Sequence, residues 1–260
     1  MDNSNTHEIN NDTKGEIKQI ETKHIIFNIK SNIILKKICN NLQRNKLLKI
    51  IKENKKTQQR LDINVNSYRE YCEIEILITK SSQEGKFINI PTKEYESYYH
   101  IYFNDDKNEE KRYYSKNNDK NIRIIIDFEI TSLDELFYDC ECIQSIYFKR
   151  FKRNNIKSMN RMFYSCKSLK LLDLSDFKIG NSCNMNSMFF GCTLLKKIIL
   201  PTNFSIDNIT DMSYMFYGCS SLIDVNLPNF NKNNKINMQY MLYGCSSKFK
   251  KKMRALNYNI

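Results

Sequence analysis

Five cysteines, Cys140, Cys166, Cys192, Cys219 and Cys245, stand at intervals of 26, 26, 27 and 26 residues. A fixed period of this size marks an array of one repeated structural unit, and it constrains the fold more than any other feature of the 260-residue chain. Aligned on cysteine, Leu133, Met159, Met185, Met212 and Met238 lie seven residues ahead, and Leu136, Met162, Met188, Met215 and Met241 four ahead. Phe137, Phe163, Phe189, Phe216 and Leu242 follow, then the aromatic column Tyr138, Tyr164, Phe190, Tyr217 and Tyr243. Behind the cysteine come Ile143, Leu169, Leu195 and Leu222, then Ile146, Leu172, Ile198 and Val225, then Phe148, Leu174, Leu200 and Leu227. Phe151, Phe177, Phe204 and Phe230 close the unit.

Two periodicities sit inside each copy. The Met-x-x-Met-Phe part spaces apolar residues three and four apart, as a helix face requires, and the L-x-x-L-x-L part ends in the alternation of a strand. One coil is therefore expected to be a helical turn, a bend and a strand. A lone coil cannot bury its apolar face, but stacked neighbours can.

Segments such as MNRMFYSCKSLKLLDLSDF at Met159 to Phe177 and MSYMFYGCSSLIDVNLPNF at Met212 to Phe230 resemble BspA-type leucine-rich repeats, a family also labelled a mycoplasma-type domain of unknown function. The resemblance covers residues 121–247. It implies an α/β fold, a right-handed leucine-rich-repeat solenoid of about five 26-residue coils, used for binding and carrying no catalytic residues.

The rest of the chain points the same way. The three histidines, His7, His24 and His100, all lie outside the repeats, so Cys–His or Ser–His–Asp chemistry has no partner within the array. No phosphate-cradling glycine motif is present. No enzyme, cofactor or metal site is expected. Nine cysteines is an odd number with five in one column, which suits small buried core residues in reducing surroundings. No apolar stretch reaches the length of a membrane span, and the polar opening MDNSNTHEINNDTKGEIKQIE lacks a secretory core. The expected location is intracellular, in the cytoplasm.

Ahead of the array, residues 1–20 read as a disordered tail and 21–72 as a helical hairpin. Ser31 is a candidate N-cap, with Ile34, Ile38 and Leu42 on one face. After a break at Gln43 to Lys46, a second helix carries Leu47, Leu48, Ile51 and Leu61 inward. Residues 31–61 resemble an F-box through Ile34, Leu35, Ile38, Leu42, Leu47, Leu48 and Ile51, without its Leu-Pro opening or late tryptophan. That resemblance implies binding to a ubiquitin-ligase adaptor. A helical cap is the alternative.

Residues 73–120 read as a mixed strand and linker region, with NDDKNEEKRYYSKNNDKN an exposed loop. Residues 121–260 hold the repeats, opened by a capping strand at Ile122 to Ile130 and fraying at KFKKKMRAL into a basic end. From Thr131 onward there are 18 Lys and Arg against 9 Asp and Glu. Clusters at Lys149, Arg150, Lys152 and Arg153 and at Lys248, Lys250, Lys251, Lys252 and Arg254 could serve nucleic acid or anionic lipid, or could be solvated edges.

Strand alternation names the residues that point away from the core: Ser145, Tyr147, Lys149, Leu171, Asp173, Ser175, Lys197, Ile199, Asp224 and Asn226. These columns vary while the inward ones do not, so a protein or peptide partner is expected on this face. The readings carried forward are a non-enzymatic protein-interaction module, a ubiquitin-ligase substrate receptor, and a basic nucleic-acid or membrane-surface binder.

Overall fold

A computed structural model describes residues 25–40, 51, 54–63, 73–127, 130–151, 156–177, 183–202, 204–229 and 236–258. The chain divides into two compact units, Met1–Tyr71 and Cys72–Ile260. The fold is mixed α/β, mostly sheet with few helices.

In the first unit, α1 spans Asn32–Asn40 and starts where expected: Ser31 Oγ accepts the Ile34 N–H at 3.4 Å. Its buried side chains are Leu35 and Cys39, which pack with Ile26 and Ile51. Ile34 and Ile38, expected on one apolar face, lie on the open side of the helix at 53% and 39% exposed. Leu35 and Cys39 share the same i, i+4 spacing one residue along, so periodicity alone fits either face. A continuous second helix is overturned. Asn54 caps a separate helix α2, Lys55–Arg60, by accepting the Thr57 N–H at 2.9 Å. The expected break at Gln43 to Lys46 and residues 1–20 lie outside the described residues.

The second unit is built on one seven-stranded sheet. Its strands are β1 Ile74–Lys80, β3 Tyr99–Phe103, β5 Asn121–Ile126, β6 Ile143–Phe151, β7 Leu171–Asp173, β9 Lys197–Ile199 and β11 Asp224–Val225. The short pairs β2 Gly85–Lys86 with β4 Tyr114–Ser115, and β8 Cys183–Asn184 with β10 Ile209–Asp211, lie outside it. Each of the first four copies of the repeat contributes one strand, and these pair in parallel: β6 pairs β7, β7 pairs β9 and β9 pairs β11. The unbroken inward row Ile146, Leu172, Ile198 and Val225 is at most 2% exposed. Each such side chain stabilises by roughly 1.5–3 kcal/mol.

The helical turn expected of Met-x-x-Met-Phe is not there. The segment is a run of i, i+3 turns, with Met162 N–H to Met159, Tyr164 N–H to Arg161 and Cys166 N–H to Phe163. The alternate N–H groups leave the copy: Met159, Arg161, Phe163 and Ser165 donate to Asn184, Asn186, Met188 and Phe190 of the next one at 2.7–2.9 Å. An N–H lent to a neighbouring copy cannot also close an i, i−4 helical bond. The turns require left-handed residues, and the position before each cysteine is one: Asp139 (φ 58°), Ser165 (56°), Gly191 (70°), Gly218 (72°) and Gly244 (75°). Glycine there answers close stacking as well, since a Cβ on Gly244 would lie 3.1 Å from the Gly218 Cα.

Within residues 73–120, expected to be mixed strand and linker, the alternating run forms β1 and the charged segment after β3 is a mostly exposed loop. β1 lies between β5 and β6, antiparallel to both, with Ile78 opposite Ile122 and Ile146. The capping strand is therefore β1, and β5, expected to play that part, pairs with β1 and β3 instead. The charged loop after β3 is ordered by a bidentate Arg112–Asp119 pair at 2.6 and 2.9 Å, with Asp119 5% exposed. The basic C-terminus does not fray either. Ser246 caps α3, Ser247–Ala255, whose Phe249 and Met253 are fully buried. Apolar residues four apart put one face of α3 on the core and leave its lysines outside.

Candidate interaction face

The outward side chains of the sheet fall into two registered rows. One runs Tyr102, Arg123, Leu77, Tyr147, Asp173, Ile199 across β3, β5, β1, β6, β7 and β9. The other runs Asn121, Thr79, Ser145, Leu171, Lys197, Asp224 across β5, β1, β6, β7, β9 and β11. Seven strands give a face about 29 Å wide, wider than the repeat strands alone provide. The alternation of Glu73 to Thr79 and of Ile122 to Ile126 was visible in the sequence. That these strands continue the repeat sheet had no local signal, because β1 meets β6 across some 70 residues.

Each of the named outward residues can be placed. Tyr147 (41%) and Leu171 (44%) are exposed apolar side chains, Ile199 is half-buried beside Asp173, and Leu77 stands directly opposite Tyr147. Ser145 is half-buried and Lys197 exposed. The remaining polar residues are already engaged within the chain. Asn226 spans the Leu200 backbone, accepting its N–H at 2.7 Å and donating to its carbonyl at 3.0 Å. Lys252 pairs with Asp224 and holds that carboxyl below its ordinary value. Asp173 accepts the Ser175 N–H at 2.9 Å, closing a turn, and the Lys149 ammonium lies 3.4 Å from Glu75. The apolar residues of the face are therefore its available anchors.

The first basic cluster is neutralised in part. Arg150 reaches Glu75 at 2.8 Å and Glu73 at 3.3 Å, and both glutamates are under a tenth exposed. Lys152 and Arg153 lie outside the described residues. On α3, Lys248, Lys251 and Arg254 are exposed.

The cysteine column does more than fill space. Cys166, Cys192, Cys219 and Cys245 donate their thiols to the carbonyls of Phe137, Phe163, Phe189 and Phe216 in the preceding copy, at 3.1, 3.0, 3.0 and 2.9 Å. Burial pushes the Cys192 thiol up to about 12 and Cys245 to about 11, and holds Cys166 and Cys219 well above the ordinary thiol value. These thiols are protonated donors and poor nucleophiles. Among the described residues no group of three or more His, Cys, Asp or Glu could hold a metal ion. None of the described helices is long and apolar enough to cross a membrane.

Of the adaptor candidates, Ile34 and Ile38 are exposed on α1, while Leu35 and Ile51 are fully buried. Leu42, Leu47 and Leu48 lie outside the described residues.

Residues 131–256 match the family described as "Mycoplasma protein of unknown function, DUF285". No curated protein and no solved structure matches the chain.

Proposed function

We propose that the chain is a non-enzymatic protein-interaction module in which residues 121–247 form a right-handed leucine-rich-repeat solenoid, and that a partner polypeptide docks on the outward face of its sheet. The observation that supports this most is the clustering of Leu77, Tyr147, Leu171 and Ile199 on a face where Lys149, Asp173, Asp224 and Asn226 are already engaged within the chain. Uncommitted apolar side chains amid paired polar ones make an anchor patch with a polar rim. The basic nucleic-acid or membrane reading gains less support, since Arg150, Lys149 and Lys252 have carboxylate partners.

A purification of the full chain beside Y147A/L171A, with bound proteins identified at low and moderate salt, tests the reading. The double variant, folded as judged by its unfolding midpoint, loses a salt-resistant partner that the parent retains. Equal retention by both overturns docking on this face. The exposed pair Ile34 and Ile38 favours a second reading, an adaptor contact through α1. I34D/I38D then loses a Skp-type adaptor while Y147A/L171A keeps it, and unchanged adaptor binding removes this reading.

A further inference from the structure

The stack of turns has a direction, and one of its ends is unfinished. In every described junction between copies, four N–H groups of one copy donate to four carbonyls of the following one. They begin with Leu133, Glu135, Phe137 and Asp139 donating to Ser158, Asn160, Met162 and Tyr164. They end with Met212, Tyr214, Phe216 and Gly218 donating to Asn237, Gln239, Met241 and Tyr243. Every one of these bonds points the same way, so aligned peptide dipoles leave partial positive charge on the final copy, as they do at a helix N-terminus.

In that final copy the corresponding donors are Met238, Tyr240, Leu242 and Gly244. Among the described residues none of these four N–H groups has an acceptor. Tyr240 and Tyr243 are 50% and 59% exposed, and Gly244 is exposed too. Tyr243 stacks on Tyr217 at 4.9 Å and is the last ring of its column. α3 does not serve this edge: its Phe249 packs edge-on to Phe216, and its Lys252 reaches Asp224 and the Val225 carbonyl of β11. The helix reaches β11 through Lys252, and among the described residues its Lys248, Lys250 and Lys251, which start four residues after Gly244, have no ion-pair partner.

We infer that this turn edge is a second binding surface, distinct from the sheet face, and that its occupant is an acidic segment of a partner polypeptide lying along Met238–Gly244 as one more turn. Its carbonyls take the four N–H groups, an aromatic side chain continues the ring column on Tyr243, and its carboxylates meet the α3 lysines. A regular array of backbone donors asks for backbone acceptors, which selects a peptide. Charge complementarity selects an acidic one. A second copy of this chain fits poorly, because two of the four matching carbonyls of its first turn, Leu136 and Tyr138, already accept the Asn89 N–H and Nδ2 at 2.8 Å.

The test uses the full ¹⁵N-labelled chain and a synthetic peptide copying Asp211–Ser220 with C219S and two leading glutamates. The expected result is movement of the Met238, Tyr240, Leu242 and Gly244 amide signals, with the equivalent amides of earlier copies unmoved. A version with leading lysines, and the K248E/K251E protein, each bind about tenfold more weakly. Y243A weakens binding while the protein remains folded, its unfolding midpoint only slightly lowered. The inference is overturned by no signal movement, by movement at Tyr147 and Leu171 instead, or by equal binding of the lysine peptide. A single-stranded oligonucleotide that moves the same four amides at lower concentration than the acidic peptide also overturns it.

Discussion

The two ends of the repeat stack are closed by different chemistry, and the direction of the hydrogen bonds explains why. The first copy presents carbonyls along its turns, so its cap must donate, and Asn89 does so twice, through its backbone N–H and its side-chain Nδ2. Its strand β6 is sealed by β1 along the full length of that strand. The last copy presents N–H groups along its turns, and the fourth copy leaves a short strand edge at β11. α3 reaches the strand edge through Lys252 on the Val225 carbonyl and packs Phe249 against Phe216, and Tyr258 just beyond it donates its hydroxyl to the Pro228 carbonyl at 3.0 Å. A helix whose carbonyls, apart from the last turn, already accept its own N–H groups offers few acceptors to a row of donors, and among the described residues the turn edge stays open. A stack of this kind has chemically distinct ends, and a cap that suits one cannot be moved to the other.

Perturbing the two apolar closures should have the largest effects. Phe249→Ala is expected to cost about 3–5 kcal/mol and Ile76→Ala, at the centre of β1, about 2–5 kcal/mol, measured by denaturant unfolding. A cost below about 1 kcal/mol at Phe249 would break the comparison, because the C-terminal end would then be open on both halves.

The next effect separates the ends by charge. Asp119 is buried, which raises its pKa, but hydrogen bonds from Arg112 and the Lys116 N–H outweigh burial and leave it below the ordinary carboxylate value. A depressed folded value means stabilisation that is complete above the unfolded pKa and lost as pH falls through the folded one. Stability should therefore drop below about pH 4, and D119N should cost about 2–3 kcal/mol at neutral pH while flattening that acid step. Its C-terminal counterpart, Asp224 with Lys252, is nearly half exposed, so D224N should cost under about 1 kcal/mol.

Asn89→Ala comes third, at about 1–2 kcal/mol, because it strips one donor from the Tyr138 carbonyl and leaves the backbone bond to Leu136 in place. Smallest is the ring column. Tyr164 is sandwiched between Tyr138 at 4.9 Å and Phe190 at 4.5 Å, so Y164A should cost about 1–2 kcal/mol against under about 1 for the one-sided Tyr243. Equal costs for the two tyrosines would mean that the final ring has a partner on its far side.

How much of this could be read from the chain depends on whether the signal was periodic. The Met, Phe, Cys and Leu columns repeat in register, so which side chains face the core was legible before any coordinates. The shape of the Met-x-x-Met-Phe part was not, because apolar residues three and four apart suit both a helix and a stacked turn. The deciding fact, which N–H is lent to the next copy, lies outside any single copy. The closures were illegible for a related reason: each occurs once. Nothing local in Ile74 to Lys80 says that it pairs with β6, and Asn89 is one asparagine among many. Phe249 and Met253 did carry helical spacing, but the surrounding lysines made the segment read as an exposed end. On the outward face, alternation put Asn226 and Asp224 on the correct side of the strand without showing that the Leu200 backbone and Lys252 occupy them.

Amide hydrogen exchange resolved by residue in the free full-length protein tests the directional account most directly. It predicts slow exchange for the inter-copy donors of the first four copies, from Leu133 to Gly218, and fast exchange for Met238, Tyr240, Leu242 and Gly244. Equal protection of these last four, or fast exchange at Phe137 and Phe163, would contradict a stack that is closed at its first copy and open along the turns of its last.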